Sequence, residues 1–122
     1  MEFQVIWIEI PVKDINRALA FYEKAFDLNG DGIVDDGIRK ITNIRMVSGQ
    51  AGFTLNQTDN FEPSDKGILV YIKIDDSIQT ALKKVSDAGG TVMSEKEPMG
   101  SSGFYALVKD TEGNIFGIFS SE

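Results

Sequence analysis

The sequence predicts an α+β fold made of two β-α-β-β-β modules in one chain of 122 residues. Three observations carry this. Two segments, "QVIWIEIPV" and "ILVYIKIDD", alternate with the period of a half-buried strand. A stretch with helical periodicity follows each. The two units then recur at an offset of 62 residues, with Trp7 matching Leu69, Ile10 matching Ile72 and Asp14 matching Asp76. Half the chain length is the period expected of a duplicated module.

In the first strand Ile6, Ile8, Ile10 and Val12 point one way, and Val5, Trp7, Glu9 and Pro11 the other. Asp14 is an N-cap for "INRALAFYEKAF", whose stripe is Ile15, Ala18, Leu19, Tyr22, Ala25 and Phe26. The segments "IRKITNIRMV" and "AGFTLNQ" read as strands and complete module one, residues 1–59. Residues 60–67, with Pro and Gly, form a linker.

Module two spans 68–122. Ile68, Val70, Ile72 and Ile74 share one face of its first strand; Leu69, Tyr71 and Lys73 share the other. Asp76 or Ser77 caps a helix with Ile78, Ala81, Leu82, Val85 and Ala88 on its stripe, and Gly89–Gly90 stop it. "GTVMSEKEPM", "GFYALVKD" and "NIFGIFS" supply three further strands, and "TEGN" is a turn. Together the modules make a single domain, irregular only at residues 27–38, where module one lacks a clear strand.

Composition narrows the chemistry. Nineteen acidic against twelve basic residues give a formal charge of −7, which argues against nucleic acid and anionic membranes as partners. There is no cysteine and no histidine, so thiolate and imidazole chemistry are absent and any metal would be held by oxygen. No apolar run approaches the ~20 residues of a membrane span, and the acidic start does not resemble a signal peptide. A cytoplasmic location is expected.

The irregular stretch "DLNGDGIVDDGI" follows the register of a calcium loop. Asp27, Asn29 and Asp31 take positions 1, 3 and 5, Gly32 permits the turn, Ile33 offers a carbonyl and Asp35 acts through water. Ile38 stands where the closing glutamate belongs, and the segment leaving the loop is β-branched. Such a loop binds calcium weakly; the alternative is a polar turn at "NGDG" interrupting a strand. Calcium here is the one cofactor the sequence suggests.

The segments "WIEIPVKDINRALAFYEKAF", "PSDKGILVYIKIDD", "ALKKVSDAGGTV" and "GFYALVKDTEGNIFGIFS" resemble the vicinal oxygen chelate superfamily, which contains glyoxalase I, extradiol dioxygenases and bleomycin-resistance proteins. The resemblance implies that the two sheets curl into a cleft. It also implies metal ligands on the first strand of each module and on the last strand. Those positions fall on Trp7, Leu69 and Gly117, with a fourth near "FTLNQ". None of the three named side chains coordinates a metal ion, so the chain resembles a branch without the metal triad.

If helices cover one face of each sheet, Trp7, Glu9, Leu69, Tyr71, Lys73, Gly117 and Phe119 line the cleft, with Phe53, Leu55 and Met99 nearby. That mixture suits a small, partly apolar ligand or, equally, a packed core or dimer interface. Glu9 stands out as an acid among apolar neighbours. It is a candidate general base for metal-independent isomerase or lyase chemistry, or a structural acid paired with Lys73, Arg45 or a tyrosine. Open sheet edges point to a homodimer, side by side or swapped.

Overall fold

The computed structural model describes residues 1–122. Strand β1 (Trp7–Pro11) leads into helix α1 (Ile15–Phe26), then β2 (Val34–Asp35), β3 (Lys40–Arg45) and β4 (Gly52–Gln57). Module two runs β5 (Tyr71–Lys73), α2 (Ile78–Asp87), β6 (Thr91–Val92), β7 (Glu97–Met99), β8 (Gly103–Lys109) and β9 (Ile115–Ser120). The first sheet has the order β1-β4-β3-β2; the second has β5-β9-β8-β6, with β7 also pairing β8. Each module pairs its first strand in parallel with its last, so the duplication holds at the level of topology.

The helices form where expected and for the expected reasons. Asp14 Oδ1 accepts from Arg17 N at 3.1 Å, and Ser77 Oγ from Thr80 N at 3.2 Å. The second cap is therefore Ser77 and not Asp76. From Ile15 to Ile78 the offset is 63 residues. Between the parallel strand pairs it is 64 from Trp7 to Tyr71 and 65 from Gly52 to Gly117. The single offset of 62 is thus corrected: the elements lie one to three residues beyond it.

Phe21 joins the predicted stripe of α1 in the core, while Leu19 and Phe26 are only partly buried. Both modules feed one core. Tyr22 stacks on Phe116 at 5.9 Å, with Phe21 edge-on to Tyr22 at 5.0 Å. Phe53 and Leu55, expected near the cleft, face this core instead, because the register of β4 turns Gly52, Thr54 and Asn56 to the opposite side.

A polar clamp joins the modules. Glu112, in the "TEGN" turn, accepts from Lys13 N (2.9 Å), Asp14 N (2.8 Å), Thr111 Oγ1 (2.8 Å) and Arg17 Nε and Nη2 (2.8 and 3.0 Å). Burial by itself would raise its pKa. The bonds from Arg17, Thr111 and the two backbone amides outweigh burial and hold it at about 2. Asn114 Nδ2 reaches back to Pro11 O at 2.8 Å, and the Tyr22 hydroxyl donates to Asp110 at 2.7 Å.

Three strand expectations change. The segment "GTVMSEKEPM", expected as one strand, forms two short ones, β6 and β7, each paired with β8. The first strand is shorter than its alternating pattern, and Ile6 is exposed. Ile68 is 92% exposed and lies outside β5. The reason is a competing partner: Ile115 N donates to Ser64 O in the linker, which removes that ladder position from residues 68–69.

Candidate functional site

Pairing in β1 and β4 places Trp7 beside Gly52, Glu9 beside Thr54 and Pro11 beside Asn56, all on the face away from α1. The Trp7 ring lies against the Gly52 Cα, with Cε3 2.8 Å from where a Cβ would stand. Module two repeats the arrangement. Tyr71 pairs with Gly117 and its ring fills the space above that glycine. Tyr105 packs edge-on against Tyr71 at 6.0 Å, and Lys73 and Phe119 continue the same face. Each glycine makes room for the close approach of a ring and is not set by its backbone angles.

Trp7 is 46% and Tyr71 44% exposed, so both rings offer a free edge or face. Of the residues expected to line one cleft, Trp7 and Glu9 lie on the first sheet, and Tyr71, Lys73, Gly117 and Phe119 on the second. None of the three main concavities joins these two groups within one chain. Leu69 lies just before β5 and is exposed.

The strand register also revises the positions that the resemblance assigns to metal ligands. The counterpart of Trp7 is Tyr71, not Leu69, and the fourth position is Gly52, whose symmetry mate is Gly117. The four positions hold an indole, a phenol and two glycines. This donor set does not fit a divalent metal, which needs several carboxylates, imidazoles or thiolates. Nowhere else do three acidic side chains gather to hold an ion.

Glu9 is half-exposed and not buried, because the open sheet face leaves it in contact with solvent. Its Oε1 accepts from Asn56 Nδ2 at 3.3 Å and lies 3.6 Å from Arg39 Nη1. Neither partner was among those expected. Around it Glu9, Pro11, Asn56, Phe61 and Glu62 line a concavity of about 290 Å³. A polar groove of about 620 Å³ shares Phe61 and Glu62 with it. A third, mostly apolar cavity of about 490 Å³ lies between the modules, under Ile8, Phe53, Ile72 and Ile74, with Tyr22 and Phe26 among its walls. Tyr71 and Lys73, both expected in the cleft, also line it, with Arg45, Asp27, Asp75 and Asp76 at its polar margin.

The stretch 27–38 folds as a short strand and turn. Val34 and Asp35 pair with Ile41 and Lys40. Asp27 is bound by Lys84 Nζ at 2.8 Å, Asp31 accepts from Asn43 N and Nδ2, and Asp35 accepts from Gly37 N at 2.9 Å. The carboxylates thus face separate protein donors and do not converge with Asn29 and Ile33 on one point. As folded, the loop does not fit calcium. The missing glutamate at Ile38 and the strand that follows explain the departure.

The fold and this geometry can be set beside known proteins. The family model for the glyoxalase/bleomycin resistance protein/dioxygenase superfamily matches residues 4–118. Two putative glyoxylases named CFP32, from Mycobacterium bovis and Mycobacterium tuberculosis, are 28% identical over 118 residues. The match covers 93% of this chain but only 42% of each relative, so the chain spans less than half their length. A V278E mutant of glyoxalase I from Zea mays superposes with a TM-score of 0.77 at 20% identity, over 95% of this chain and 45% of that one. A glyoxalase/bleomycin resistance protein/dioxygenase family enzyme from Burkholderia phytofirmans PsJN gives 0.68 at 19% identity, over 95% and 97%. At these identities the superpositions show the fold alone. No helix is long and apolar enough to cross a membrane.

Proposed function

The chain belongs to the glyoxalase/bleomycin resistance protein/dioxygenase superfamily, and from that premise we propose that it binds a small, partly apolar molecule on its sheet faces without a bound metal. The observation that carries this reading is the pair of rings seated on glycines, Trp7 on Gly52 and Tyr71 on Gly117. Each flattens an aromatic surface against the sheet and leaves part of it free, which suits stacking against a planar or apolar ligand. Lys73 makes no ion pair or hydrogen bond and offers a polar contact beside Tyr71. Glu9, half-exposed and already accepting from Asn56, acts as an anchor and not as a desolvated base.

The ligand-binding unit is a homodimer. β1 and β5 are both edge strands, and the surface beside them exposes Phe3, Val5, Ile6, Trp7, Ile68 and Tyr71. A second copy that covers these edges would bring a Trp7 face against a Tyr71 face and close the groove that one chain leaves open.

Titration of Trp7 emission with a panel of aromatic and aliphatic small molecules tests the ligand reading, because Trp7 is the sole tryptophan. Saturable quenching is expected, weakened at least tenfold by Tyr71→Ala as well as by changes near Trp7. Sedimentation velocity tests the dimer. A monomer at micromolar concentration, together with no saturable ligand, would remove the proposal.

A further inference from the structure

The concavity beside Glu9 has chemistry of its own. Glu9 and Glu62 both line it, and Glu62 makes no ion pair. Asn56 also lines it and is 3% exposed, yet its Oδ1 accepts no hydrogen bond. Its Nδ2 is fixed toward Glu9 Oε1, an acceptor-only group, so the orientation of the amide is determined. A buried acceptor without a donor is costly. What this site lacks is therefore an N–H or O–H donor, and the carboxylates beside it favour one that is positively charged. Phe61 adds an exposed aromatic ring, suited to a cation or an apolar frame.

The chain already brings one such group to the site. Arg39 Nη1 stands 3.6 Å from Glu9 Oε1, and its Nε stands 3.6 Å from Asp36. Both separations exceed hydrogen-bond length, and Arg39 is half-exposed. The guanidinium is near the acids but is not locked to them.

We propose that Glu9, Asn56, Phe61 and Glu62 form a seat for an organic cation, a protonated amine or guanidinium on an apolar frame, and that Arg39 partly fills this seat in the free chain as a built-in competitor. An entering ammonium donates to Glu9 and, once the buried Asn56 Oδ1 is uncovered, to that idle acceptor, while Arg39 swings toward Asp36 and solvent. The assignment rests on the reading that the Trp7 face is a ligand face, and narrows it to a charge class.

Benzylamine, benzyl alcohol and benzoate, titrated against Trp7 emission two residues from Glu9, test it. Protonated benzylamine should bind at least about tenfold more tightly than the neutral and anionic analogues. Glu9→Gln should abolish most of that preference. Arg39→Ala should tighten benzylamine several-fold, because the competitor is gone. If Glu9→Gln does not fold, as judged by its melting curve, Glu62→Gln at an exposed linker position replaces it. Equal binding of all three compounds, with no effect of Arg39→Ala, would overturn the cation seat and leave the ligand face standing. Absence of binding for all three at ~10 mM, a level that detects even feeble sites, would overturn both.

Discussion

The indole of Trp7 takes the room that any side chain at position 52 would need: two of its ring carbons come within 2.9 Å of the missing Cβ of Gly52. An alanine there must push the ring outward, and the ring has solvent to move into. Gly52→Ala should therefore cost only about 1–2 kcal/mol, from strain and lost contact. It should also shift the emission of the sole tryptophan. In a double-mutant cycle by urea unfolding, Trp7→Ala should cancel most of that cost. Additive costs would mean that the ring and the glycine are not coupled.

Glu112 predicts an acid-labile fold. Its pKa falls from 4.5 to about 2 on folding. A depressed carboxylate contributes stability that is fully present above its unfolded pKa and lost as pH drops through the folded one. The shift corresponds to about 3 kcal/mol, lost between pH ~4.5 and ~2. Glu112→Gln should flatten that part of the stability profile, as read from urea midpoints across pH. An unchanged slope would place the acid sensitivity elsewhere.

Tyr22 donates to Asp110 in the buried seam between modules, and burial, with the nearby Asp110 charge second, raises its pKa well above the usual phenol value. Tyr22→Phe keeps the stack on Phe116 and removes only the hydroxyl. Asp110 Oδ2 retains the bond from Asn114 Nδ2. A loss of about 1–2 kcal/mol is expected, visible as a lower melting temperature with unchanged far-UV dichroism.

The 27–38 segment should ignore calcium. With Asp27, Asp31 and Asp35 turned to Lys84, Asn43 and Gly37, ~5 mM calcium should leave the melting temperature unchanged, whereas a site of even millimolar affinity would raise it. A reproducible rise would show that these acids can leave their protein partners and regroup.

The fold was legible because it is written in local periods. The alternation of Trp7 and Glu9 against Ile8 and Ile10, and the helical stripe of Ile15, Ala18, Tyr22 and Ala25, each need only neighbouring residues to be read. The site was legible in part. Strand phase placed Trp7, Glu9, Tyr71 and Lys73 on the sheet faces turned away from the helices, and "GFTLNQ" carries a polar row at Thr54 and Asn56 on the same side. Gly52 was missed because a glycine leaves no side-chain pattern, and only its pairing with Trp7 reveals it. The partners of Glu9 and the clamp at Glu112 were missed because they depend on tertiary proximity: Asn56 is 47 residues from Glu9, and Arg17 is 95 from Glu112. The calcium pattern misled because it recorded which residues were acidic and not which donors their carboxylates would meet.

The junction built by Tyr22 on Phe116 and by Asn114 on Pro11 bears on how the repeat can be handled. The halves share one topological plan, yet each keeps part of its interior in the other. Severed in the linker at residues 60–67, the fragments should remain sticky and disordered alone and regain a cooperative melt when mixed in equal amounts. What reads as two domains in miniature should then melt as one unit.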